Sequence, residues 1–172
     1  MTEEFLYGEV PERYVPSDLL ALGKETFEFC LRRYGDGGHP IELRWVKKSE
    51  SDYHFAKMLD AIQELAGNKV DRLERSYEQT EPVYGFVRNR VTTKERSGSV
   101  FVAAETPIEI IVKVIGHEFY HWRYSPAGYS DEADETAANS FGERVLQEMR
   151  EAAHAEEMER WRQRYRELER KK

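Results

Sequence analysis

One stretch constrains the fold more than any other. Between Thr106 and Tyr124, apolar side chains take up nearly the whole circumference of a predicted helix. Ile108, Ile111, Val112, Ile115, Phe119 and Trp122 share one face, and Ile110 and Val114 join His117, His121 and Tyr124 on another. A helix that is apolar almost all round must be covered on every side, so the rest of the chain has to be built around it. Its start is marked by Thr106-Pro107-Ile108-Glu109, which reads as a capping box, with threonine as N-cap, proline at the first helical position and glutamate reaching back. Ser125-Pro126-Ala127-Gly128 ends it.

The flanking elements follow from periodicity. Residues 1–16, with Pro11 and Pro16, read as an irregular arm. Ser17 can cap a helix over 18–34, whose apolar residues Leu19, Leu20, Leu22, Phe27, Cys30, Leu31 and Tyr34 recur at helical spacing until Gly35-Asp36-Gly37-Gly38. Residues 41–46 alternate apolar and polar side chains, the mark of a strand with one buried face. Ser51 or Asp52 can cap a second helix through Phe55, Met58, Leu59, Ile62 and Leu65, closed by Gly67-Asn68. Residues 84–91 and 99–104 are β-prone, and the polar segment 92–98 between them suits a hairpin. From about Ser130 the pattern is helical onwards, first through Phe141, Val145 and Met149, then through Met158, Trp161, Tyr165 and Leu168 at heptad-like spacings. Residues 150–172 are otherwise dense in Arg, Lys and Glu, which predicts a solvated helix docked along a thin stripe. The fold class expected is α+β: a single domain over 1–172, with a small three-stranded sheet packed on the buried helix and a long C-terminal helix.

Composition narrows the partners. A chain of 172 residues that is 40% hydrophobic suits one globular domain. Against 26 basic residues stand 33 acidic ones, and a net charge of −7 repels phosphate backbones, so nucleic acid is not an expected partner. No apolar run approaches the roughly 18 residues that a membrane-spanning helix needs, and Met1-Thr2-Glu3-Glu4 precedes no apolar signal core. The single cysteine, Cys30, excludes an intrachain disulfide and a cysteine-rich zinc module, and it fits a reducing compartment. A cytoplasmic location is expected.

The buried helix carries His117-Glu118-Phe119-Tyr120-His121, an HExxH pattern. Residues four apart lie one turn up on the same helical face, so both imidazoles can meet one divalent ion from one side. Zinc suits them, because it accepts imidazole at about 2.0–2.1 Å and leaves room for a third protein ligand and a water. Glu118 is rotated a quarter-turn away, beside that water, where it can act as general base. The third ligand is sought in Asp131-Glu132-Ala133-Asp134-Glu135-Thr136-Ala137-Ala138-Asn139. Glu135 and Asn139 share a face, with Glu135 assigned to the metal and Asn139 to orienting a histidine. Glu132, one turn earlier, and Asp131 are the alternatives. Small Ala137 and Ala138 would let this helix approach closely. Tyr124 and Tyr129 are candidate donors to a developing oxyanion. His39 and His54 read as loop and helix-surface residues, and His154 lies far along a polar helix.

HExxH followed by an ExxxN helix resembles the gluzincin metallopeptidases. The gap of 13 residues between His121 and Glu135 is similar to that of the minigluzincins, and Glu135-Thr136-Ala137-Ala138-Asn139-Ser140-Phe141 is similar to the E-x-x-A-N-x-F stretch of ImmA/IrrE-like zinc peptidases. The resemblance covers about residues 99–146, and it departs from the ImmA-like HELGH at Phe119-Tyr120. It implies a zincin-like fold, zinc held by His117, His121 and Glu135, Glu118 as base, and hydrolysis of peptide bonds in a peptide or protein substrate. It also implies that the strand before the site helix, here residues 99–104, pairs with an extended substrate. The rival expectation is a zincin-like domain that binds a metal or a partner without turnover. The C-terminal stripe could serve as an adaptor surface or lie over the cleft.

Overall fold

The computed structural model describes residues 8–54, 56–57, 84–91, 96–125 and 132–171. The architecture is α+β. Helix α1 (Ser17–Tyr34) is followed by strands β1 (Ile41–Val46), β2 (Gly85–Val91) and β3 (Arg96–Ala103), then by helices α2 (Ile111–Tyr124) and α3 (Glu132–Arg170). Residues 48–54 are also helical. The sheet is mixed, in the order β1-β3-β2. β3 runs parallel to β1, with Ile41 opposite Gly98, and antiparallel to β2, with Gly85 opposite Val102.

Burial explains the arrangement. α2 packs on α1, α3, β2 and β3, as a helix with apolar residues on most faces requires. Ile111, Ile115 and Phe119 are fully enclosed, in one cluster with Phe27 and Cys30 of α1, Trp45, Val100 and Val102 of the sheet, and Phe141 and Val145 of α3. Removing a ring such as that of Phe119 costs about 3–5 kcal/mol. α1 ends as its sequence predicts, at Gly35 with φ 72°.

At one point α2 and α3 meet backbone to backbone. A Cβ on Gly116 would stand 2.9 Å from the Cα of Gly142, and one on Gly142 would stand 2.5 Å from the carbonyl oxygen of Lys113. Ala138 is buried as expected, but these two glycines set the closest approach of α2 and α3. In a helix pattern they read only as weak points.

Several sequence expectations are corrected. The capping box does not form: the buried Thr106 hydroxyl donates to the carbonyl of Ala103 at 2.6 Å, closing the exit turn of β3, and helical geometry begins only after Ile110. Ile108, expected on a buried face, is therefore 39% exposed in that turn. Ser17 is the first residue of α1 rather than its cap, with Pro16 in the cap position. The helix after β1 begins at 48, ahead of Ser51 and Asp52, because the Lys48 amide is received by the Glu105 carboxylate at 2.9 Å from across the chain. The Phe55-to-Asn68 face proposed for that helix lies at or beyond the edge of the described residues. The arm is not wholly irregular. Val10 donates to the Trp45 carbonyl at 2.8 Å, and Glu9 takes both Nε and Nη2 of Arg44, at 2.5 and 2.9 Å, so it lies along the end of β1. Finally, residues 150–170 of α3 are exposed throughout. The stripe residues Met158, Trp161, Tyr165 and Leu168, expected to be docked, are exposed by 38, 61, 51 and 59%. No described helix is long and apolar enough to cross a membrane.

Candidate metal centre

The site is made by two helices. His117 and His121 stand one turn apart on α2, and Glu135 faces them from the first turns of α3. Nε2 of His117 lies 3.1 Å from one oxygen of Glu135, Nε2 of His121 lies 3.0 Å from the other, and the two Nε2 atoms are 3.0 Å apart. Of the described residues, this is the group of His, Cys, Asp and Glu whose donor atoms converge tightly enough to hold a metal ion.

Outer groups aim the rings. Oδ1 of Asn139 lies 2.8 Å from Nδ1 of His117. An amide oxygen can only accept, so Nδ1 donates to Asn139 and Nε2 is the nitrogen turned to the centre. On the other histidine, Nδ1 of His121 lies 3.5 Å from Oδ2 of Asp134, whose Oδ1 accepts a hydrogen bond from the Ser125 hydroxyl at 2.7 Å. Both imidazoles are thus oriented with Nε2 inward, each by one residue of α3.

The donor set fits a small tetrahedral cation. Ligands held at about 2.0–2.1 Å in a tetrahedron stand about 3.3 Å apart. The three edges measured are 3.0, 3.0 and 3.1 Å, so the donors need to spread by only about 0.3 Å. The electrostatics agree. Burial opposes protonation of His117, yet its hydrogen bond to Glu135 and the charges of Glu118 and Glu135 outweigh that and raise its pKa to about 9. His121 shifts upward despite burial, through the same two carboxylates. Burial would raise the pKa of Glu135, but the two imidazoles hold it well below the usual carboxylate range. The centre draws positive charge, and a metal ion would compete with protons for it.

Glu118 flanks the cluster. It is 8% exposed, and its Oε1 lies 4.0 Å from Nε2 of His117. Burial pushes its pKa up, and the neighbouring imidazoles pull it back only in part. Gly85, at the start of β2, makes room for it: a Cβ there would stand 2.9 Å from Cγ of Glu118.

The structure brings together His117, Glu118, His121, Glu135 and Asn139. It does not bring in Glu132, which is exposed at the start of α3. Asp131 and Tyr129 lie outside the described residues. Tyr124 is 45% exposed and packs on Tyr120 and Phe141, not on the metal donors. His154 is exposed on α3. His39 lines a cleft with Asp36, Gly37, Trp122 and Arg123, and His54 is stacked on Phe86 with ring centroids 4.0 Å apart. β3 is hydrogen-bonded on both sides from Gly98 to Val102, so it has no free edge there for a substrate. Among the described strands, the outer one on the Glu118 side is β2.

Sequence reasoning missed Asp134 and Gly85. Asp134 was legible in principle. If α2 and α3 run antiparallel with Asn139 opposite His117, moving one turn along α2 to His121 moves one turn back on α3, to 134 and 135. Gly85 carried no local signal, because its role depends on a sheet register set elsewhere. Comparisons with family models, with curated proteins and with solved structures give no match for this chain.

Proposed function

We propose that this chain is a zinc-dependent metallopeptidase of the gluzincin type, with a zincin-like fold. The observation that supports this most is the convergence of two oriented Nε2 atoms and the Glu135 carboxylate on one point, with a buried carboxylate, Glu118, standing beside it. A closed structural site has no use for that fourth group.

His117, His121 and Glu135 would hold the ion. When bound, zinc supplies a Lewis acid that polarises a carbonyl and makes a neighbouring water easier to deprotonate. Glu118 takes one proton from the attacking water, the hydroxyl oxygen bonds to the carbonyl carbon of the substrate, and the C–N bond breaks as Glu118 returns the proton to the leaving amine. Its raised pKa suits both halves of that cycle. Asn139 and Asp134 keep the imidazoles aimed throughout. The outer edge of β2, next to Glu118, offers backbone groups to an extended peptide in place of the occupied β3.

The test is Glu118→Gln. The variant is expected to retain one zinc per chain by elemental analysis and to lose about a hundredfold or more in its rate of cleaving an unfolded protein. Glu135→Ala is expected to lose the zinc. Zinc-loaded wild-type protein that cleaves no unfolded protein or mixed peptide library would refute the proposal and favour a non-catalytic metal-binding domain.

A further inference from the structure

The exposed half of α3 stands apart from the candidate metal centre.

From residue 150 to its end every residue of α3 is exposed, and this part of the helix is about 30 Å long at 1.5 Å per residue. A free helix of this kind is expected to be polar all round. Here Met158, Trp161, Tyr165 and Leu168 are exposed by 38, 61, 51 and 59%. Their spacing of three, four and three places them at successive a and d positions of a heptad, in one stripe. The Trp161 and Tyr165 rings are stacked, with centroids 5.6 Å apart and planes at 13°.

Two further observations identify what covers the stripe. The first is its direction. At 100° per residue, the stripe lies roughly half a turn around α3 from Ala138, Phe141, Val145 and Met149, the residues facing the body. It points away from its own domain, so two copies can meet through it with both bodies outside. The second is charge. With Met158 at a, the g positions are Glu157 and Arg164 and the e positions are Arg162 and Glu169. In a parallel pair each g residue meets the e residue five places on in the partner, which gives Glu157 with Arg162 and Arg164 with Glu169, attractive in both copies. An antiparallel pair would instead set Arg162 against Arg162 and Arg164 against Arg164. Arg162 now lies 3.6 Å from Glu159 on its own helix, an exposed contact that is cheap to exchange.

We propose that this segment is a self-association surface, pairing with a second copy of the chain as a short parallel coiled coil. The apolar repeat spans fewer than the three or four heptads of a lasting coiled coil. The dimer is therefore reversible and concentration-dependent.

Sedimentation equilibrium of the full chain over micromolar to millimolar concentrations tests this. Wild type is expected to pass from monomer to dimer, and Trp161→Glu with Tyr165→Glu to weaken association about a hundredfold or more. Circular dichroism of the double variant checks that the domain is still folded. Charge is tested by a pair of variants, Glu157→Arg with Glu169→Arg and Arg162→Glu with Arg164→Glu. Each alone is expected to stay monomeric, and an equimolar mixture to dimerise. Direction is read from Leu168→Cys, which in the parallel pair forms an intermolecular disulfide on mild oxidation. A wild type that is monomeric throughout would leave the stripe to a partner of different sequence and overturn the proposal. So would a dimer unaffected by the Trp161 and Tyr165 changes, or one in which Leu168→Cys fails to cross-link.

Discussion

Replacing Gly142 with alanine tests whether backbone contact between two helices sets the metal geometry. The added Cβ would lie 2.5 Å from the carbonyl oxygen of Lys113, whereas ordinary contact begins near 3.4 Å, so α3 must withdraw from α2 by about 0.9 Å. Lys113 belongs to the helix backbone and cannot rotate away. Overpacking of this kind costs about 1–3 kcal/mol, and alanine returns up to about 1 kcal/mol through its helix propensity. A net loss of about 1–2 kcal/mol lowers Tm by about 2–8 °C in a chain of this size. The effect on the centre is larger in proportion. Metal sites tolerate about 0.2 Å of ligand displacement, and both donors of α2 are set against Glu135 of α3. Zinc affinity, measured by competition with a chromophoric chelator, is expected to fall at least about tenfold. Ser140→Ala, at an exposed position of the same helix, is the control and is expected to change neither quantity. A Gly142→Ala protein with unchanged Tm and unchanged zinc affinity would refute the claim that this contact fixes the donors.

Two other outcomes follow from the site. Asn139→Ala removes the acceptor that aims His117 and is expected to weaken zinc binding about 10–100-fold with the fold intact; retention of full affinity would show that His117 is held by packing alone. In chelator-treated protein, the His117 pKa of about 9 lies above its ordinary 6.5, so the folded state is the one that favours the protonated ring. That contribution is complete below about pH 6.5 and is lost as pH rises through about 9. Tm of the metal-free protein is therefore expected to fall across this window while zinc affinity rises, and the opposite slopes would contradict the electrostatic account.

The parts of the molecule that were legible in the sequence are those decided within a few residues. β1 occupies the residues its alternation indicated, because period two needs only neighbours. His117 and His121 meet on one face because an α-helix permits nothing else four residues apart, and Glu135 and Asn139 follow the same rule on α3. Where a distant group intervened, the local signal lost. Thr106-Pro107-Ile108-Glu109 has the composition of a capping box, but the carbonyl of Ala103 claimed the threonine hydroxyl first. Ser51 was a fair cap until Glu105 supplied one from another loop. The parallel pairing of β1 with β3 and the placement of Gly85 against Glu118 depend on long-range register, on which a single sequence is silent. Gly116 and Gly142 weaken helices in isolation, and only the assembled pair gives them a purpose.

The closeness in sequence of the metal donors bears on the order of assembly. His117 and Glu135 are separated by 18 residues, whereas Ile41 meets Gly98 across 57. Loop-closure entropy rises as the logarithm of length, so joining the shorter loop is easier by about 1 kcal/mol. A cation held by this group would grip the α2–α3 hairpin while the sheet is still open, and partly unfolded chains would then retain it. Such binding to the incomplete state subtracts from the stability the ion lends the native one, so the metal would speed commitment to the helical hairpin more than it would raise the melting temperature.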